Sequence, residues 1–241
     1  MKDQDSRFDR RNFLKSAVVS GAAAATGTLP QPASAQQRAT PPQPAAPAAD
    51  NTYAFLNPNE AAFVEALVNH MVPADEFSPK GTAIGVNIYI DRALAGAWGK
   101  GDRLYMQGPW KLGTPSQGYQ LPLTPAQLYR AGIAATNEHC QKAYGRPFDK
   151  LDEAQREAVL VALSSGKLEF QDGLPSSVFW STVYQTVMEG LFADPIYGGN
   201  RDKAGWKMIG FPGVIAVHYR NVEKFRGKEY KVPPLGIADA S

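Results

Sequence analysis

The chain has 241 residues, a formal net charge of +2 and a single cysteine, Cys140. The first 35 residues carry five basic against three acidic side chains, so the remainder is balanced at twenty of each. A balanced chain lacks the basic excess of a nucleic-acid binder. One cysteine excludes an internal disulfide, a Cys-x-x-Cys-His haem site and a Cys-ligated iron–sulfur cluster.

The N-terminus reads DRRNFLK. Arg10 and Arg11 are paired, and Phe13 and Leu14 follow at the spacing of a twin-arginine export signal. A small-residue, mildly apolar run leads to Ala33-Ser34-Ala35, an A-x-A cleavage site. The reading is a cleaved signal peptide over 1–35. The run is too short and too rich in Gly and Ala for a membrane span. Residues 36–51 (QQRATPPQPAAPAADN) form a Pro/Ala-rich linker with too little apolar surface to offset its ordering entropy. One domain of ordinary size remains, 52–241.

That domain reads as all-α, a single small helical unit with long ordered loops. Asn57-Pro58-Asn59-Glu60 combines an N-cap, Pro at the first helical position and Glu at N3. Phe63, Val64, Leu67, Val68 and Met71 continue it as an apolar stripe, and Pro73 stops it. A second helix is predicted over 84–98, followed by a Gly-rich loop over 99–121. Thr124-Pro125-Ala126-Gln127 opens a third helix, to about Tyr144. Asp152-Glu153-Ala154-Gln155 opens a fourth, with Val159, Leu160 and Leu163 inward and Gly166 as its stop. Ser176 or Ser177 caps a fifth, with Phe179, Val183 and Val187 on one face, ending near Phe192. A shorter helix begins near Val214.

His70, His139 and His218 lie outside metal-ligand spacing of one another, so no metal site is expected. Cys140 is expected to be a buried small hydrophobe. Gly96 to Gly101 has the wrong order for a dinucleotide fingerprint and no preceding strand. No catalytic constellation and no cofactor site is expected in this chain.

The least ordinary stretch is 189–213, EGLFADPIYGGNRDKAGWKMIGFPG. Six of its 25 residues are glycine, where average usage of about 7% predicts roughly two. Three readings compete. Gly198-Gly199-Asn200-Arg201 could form a phosphate-holding nest of N–H groups. The aromatics could plug the core of the chain itself. Or the stretch is a docking loop with Tyr197, Arg201, Trp206 and Phe211 as anchors, residue types enriched at binding hot spots. The third is preferred.

The same stretch closely resembles the signature of the gluconate 2-dehydrogenase subunit 3 family. The resemblance extends through YGRPFDKLDEAQREAVLVAL (144–163), LTPAQLYRAGI (123–133) and VNHMVPADEFSPKGTAIGVNIYIDRALAG (68–96). It departs at Asp152-Glu153, where the family usually has Ser-Pro, and is weakest over 99–120. It implies the small, non-catalytic subunit of a periplasmic, membrane-attached sugar or polyol dehydrogenase. In such complexes a large partner subunit carries FAD, and a multihaem cytochrome c subunit, where present, carries haem c. It further implies that this chain brings the large subunit through the twin-arginine translocase. The competing reading is a free-standing periplasmic helical protein that binds a small molecule.

Overall fold

Three capping boxes start three helices. The computed structural model describes residues 52–239 apart from 103, 112, 171 and 172. The signal peptide, its cleavage site and the Pro/Ala-rich linker lie outside the described residues. Helix α1 (Pro58–Met71) starts at Asn57, whose side chain accepts from the Asn59 and Glu60 amides while Glu60 returns to the Asn57 amide. Helix α3 (Pro125–Tyr144) has the same reciprocal pair between Thr124 and Gln127. Helix α4 (Glu153–Ser164) has it between Asp152 and Gln155. Each box satisfies N–H groups that have no partner inside the helix.

Helix α2 (Val86–Ala95) is shorter than its pattern suggests, because Gly85 enters it left-handed and extended Gly96 ends it. Helix α5 (Ser176–Phe192) follows Pro175 with no side-chain cap, so neither expected serine plays that part. Two short helices, α6 (Ala204–Ile209) and α7 (Ile215–His218), follow. The described residues contain only isolated β-bridges, Glu169 to Pro175 and Gly213 to Leu235. The fold is all-α.

Helix α5 is the central element, touching α2, α3, α4 and α6. Its inward face is Phe179, Val183, Thr186, Val187 and Leu191, all buried. Phe179 meets Tyr129 of α3 edge-on at 6.0 Å. Phe63 of α1 stacks on Phe148 at 4.7 Å. Each such side chain, fully buried, stabilises the fold by about 1.5–3 kcal/mol. Cys140 is fully buried in this core, where desolvation pushes its thiol up to about 11. It is the small hydrophobe the sequence suggested.

A polar tether joins the start of the domain to α2. The Asp91 carboxylate, 1% exposed, accepts from three consecutive amides, Ala54, Phe55 and Leu56, at 2.7–2.9 Å. A buried carboxylate is tolerable only with such compensation.

Candidate functional site

The glycine-rich stretch lies flat on the last turn of α5. A side chain at Gly199 would put its Cβ 2.2 Å from the Gly190 carbonyl oxygen. One at Gly205 would come within 2.1 Å of the Leu191 oxygen. Only a residue without Cβ lets these backbones meet.

The close approach serves the end of the helix, whose last carbonyls have no partners within it. The Asn200 amide, fully buried, donates to the Ala193 oxygen at 2.8 Å and accepts from the Gly205 amide at 2.8 Å. The Trp206 indole donates to the Phe192 oxygen at 2.7 Å. Asn200, Asp202 and Lys203 hold left-handed backbone at φ 46°, 55° and 57°. Such residues are strained, at about 1–2 kcal/mol each, and persist because their surroundings fix them.

The amides of Gly198, Arg201, Lys203 and Gly205 all donate within the chain, to Pro195, Ile84 and Asn200. Two of the four amides of the 198–201 nest, those of Gly198 and Arg201, are therefore already engaged. The four residues proposed as docking anchors separate. Trp206 is 5% exposed, and Phe211 packs edge-on against it at 5.4 Å. Trp206 is thus almost wholly buried, and Phe211 is partly buried against it. Arg201 is partly exposed. Tyr197 is 57% exposed, with Ile196 beside it at 53%.

The outward surface next to Tyr197 belongs mainly to α5. Trp180, Tyr184, Met188 and Phe192 recur every four residues and form a ridge along one side of the helix. Trp180 and Tyr184 pair at 6.1 Å. Tyr184 is 49% exposed. Tyr89 of α2 faces this ridge, and Tyr89, Tyr184, Gln185, Met188, Glu189 and Phe192 line an open apolar cleft of about 580 Å³. One carboxylate stands in it. Glu189 accepts from the Tyr89 hydroxyl at 3.2 Å and from the Gln185 amide at 2.8 Å. Burial, reinforced by the Glu189 charge, pushes the Tyr89 phenol up to about 12. Tyr89 is therefore a neutral donor at any physiological pH. The ridge was visible in the sequence as a second i, i+4 series, overshadowed by the Phe179, Val183 and Val187 face.

A family model described as gluconate 2-dehydrogenase subunit 3 matches residues 58–213. The chain belongs to this family. The match spans well over half of the chain and closes on Gly213, the last residue of the glycine-rich stretch. Residues 7–27 match the twin-arginine translocation pathway signal sequence. The subunit 3 chain thus carries a signal for export across the cytoplasmic membrane to the periplasm. No curated protein and no solved structure matches it.

Beyond the family match, residues 214–239 fold back over the signature. The Val214 amide donates to the Leu235 oxygen and the Leu235 amide to the Pro212 oxygen. Asp194 accepts from the Ile237 amide at 2.8 Å, and Lys203 pairs with Asp239 at 2.6 Å. His218 bonds both the Pro212 oxygen, at 3.0 Å, and the Tyr230 hydroxyl, at 2.8 Å. A carbonyl can only accept, so Nε2 carries a proton. His70 instead pairs with Glu157 at 2.8 Å. Among the described residues no group of three or more His, Cys, Asp or Glu could hold a metal ion.

Proposed function

We propose that this chain is the non-catalytic small subunit of a periplasmic sugar or polyol dehydrogenase. It stabilises a large FAD-containing subunit and carries it through the twin-arginine pathway. The observation that carries the reading is a twin-arginine signal on a member of a dehydrogenase-subunit family. The physical logic is one of timing. FAD is made in the cytoplasm, so a flavoprotein must fold around it before export, and the twin-arginine route moves folded cargo. A large subunit lacking its own signal would cross only while bound to a chain that has one. The apolar cleft beside Tyr184 and the exposed Tyr197 supply a face for such binding. No helix among the described residues is long and apolar enough to cross a membrane. In this reading, attachment to the inner membrane comes through a partner, a multihaem cytochrome c subunit where the complex has one.

Replacing Arg10 and Arg11 by Lys tests this. The large subunit is expected to remain in the cytoplasm, folded and yellow with flavin. Normal periplasmic levels of that subunit would show that the signal serves this chain alone. A wild-type chain that purifies as a monomer with no flavoprotein attached would favour the free-standing binding protein.

A further inference from the structure

The cleft on α5 specifies more than an apolar contact. Met188, Phe192, Tyr89 and Tyr184 give it its apolar lining, and the one charged residue among those lining it is Glu189. Both groups that hold the Glu189 carboxylate, Tyr89 and Gln185, are neutral donors, one to each oxygen. They orient the carboxylate without neutralising it. Each oxygen retains a lone pair for a further donor. In the free subunit, water solvates that charge, since Glu189 is exposed.

Any surface that covers the cleft removes this water. A carboxylate left there without a cation would oppose binding, because an unpaired desolvated charge is costly. An apolar side chain is therefore the wrong occupant, although the walls are aromatic. A cation suits both features: it pairs with the carboxylate and lies against the negative faces of the rings. Arginine fits better than lysine. Its planar fork can bind two carboxylate oxygens together and stack on tyrosine, and it is the more weakly hydrated of the two.

We propose that this cleft receives an arginine side chain of the large flavoprotein subunit, paired with Glu189 and flanked by Tyr89 and Tyr184. The inference rests on the reading of this chain as a docking subunit and names the chemistry of the contact. It makes the dock a charge-selective one: the aromatic walls contribute contact area, and Glu189 rejects partners that lack the cation. The trapped pair also makes the complex sensitive to which charge sits at position 189.

The test uses the tagged full chain expressed in its native complex, with captured flavin read from absorbance near 450 nm. Glu189→Gln keeps the side chain's size and removes its charge. It is expected to weaken capture by at least about thirtyfold in Kd, the usual effect of breaking a desolvated charge pair. The free variant should melt as the wild type does. p-Benzoylphenylalanine at position 184 should cross-link to a segment of the flavoprotein, identified by mass spectrometry. Replacing the arginine of that segment by Met should reproduce the loss. Adding Glu189→Gln to that change should cost little more than either alone. If wild-type chain captures flavoprotein and Glu189→Gln captures it equally well, the arginine contact is wrong while the docking function stands. A cross-link to a second copy of this chain, or to a segment without arginine, also overturns the contact. If the wild type captures no flavoprotein at all, the function itself fails.

Discussion

The helical bundle and the glycine-rich signature hold themselves together by different means. The bundle from α1 to α5 relies mainly on bulk: Phe63, Phe148, Tyr129 and Phe179 fill it, on helices whose apolar residues recur at the right period. Beyond α5, over 193–213, the signature buries one large apolar side chain, Trp206, with Phe211 against it. It relies on missing Cβ atoms at Gly199 and Gly205, on Asn200 bridging two backbone groups, and on three left-handed non-glycine residues. The bundle is sensitive chiefly to the removal of atoms, with Gly132 beside the Phe179 ring as an exception, and the signature to their addition. The lesson is that a loop specific to a family need not be the surface its partner touches. Here most of it closes the end of α5 and fixes the platform from which Tyr184, Glu189 and Tyr197 face outward.

The difference can be probed from its largest consequence downward. Phe179→Ala should empty the centre of the bundle, since the ring lies against α3 and is 1% exposed. A loss of about 3–5 kcal/mol is expected, a fall in Tm of roughly 10 °C for a domain of this size. Thermal melting by circular dichroism checks it. A fall of only a degree or two would mean the ring is not a core element.

Gly205→Ala adds one methyl group where the signature has no room for it. With its Cβ placed 2.1 Å from the Leu191 oxygen, the backbone must move apart. A loss of about 1–3 kcal/mol is expected. Hydrogen exchange should quicken first in 198–213 and leave α1 and α3 protected. Uniform loss of protection would show that the two regions are one cooperative unit.

A smaller effect belongs to the tail. The hydrogen bond from Lys203, helped by the Gly236 amide, lowers the carboxyl pKa of Asp239 in the folded chain. A group whose folded pKa is depressed contributes stability above its unfolded value, near 4. That contribution is lost as pH falls from there through the folded pKa. The Tm of Asp239→Asn should therefore sit slightly below wild type at pH 6, with the gap closing below about pH 4. A gap that widens in acid would contradict the assignment.

What the sequence made legible follows from the range of each interaction. The capping boxes at Asn57, Thr124 and Asp152 act over three residues, so their letters suffice. The stripes of α1, α4 and α5 needed only periodicity. The tether of 54–56 to Asp91 spans some 36 positions, and the bond from Ile237 to Asp194 spans 43. No local pattern announces either. Trp206 shows a related limit: composition marks it as a hot-spot residue, and only the contact with the Phe192 carbonyl shows its indole N–H turned inward. Tyr184 and Glu189 were missed as a pair with Tyr89 because α2 brings that ring in from 95 to 100 residues away.

The central claim is that the outward side of α5 binds a partner while its inward side holds the fold. Tyr184→Ala tests both halves in one protein. Half-exposed and paired with Trp180 on the ridge, Tyr184 should be nearly dispensable to the free subunit, with Tm within about 2 °C of wild type. Capture of the flavin-containing subunit should fall by roughly tenfold or more, as for truncation of an aromatic anchor. Undiminished capture, or a Tm loss comparable to that of Phe179→Ala, would contradict the account.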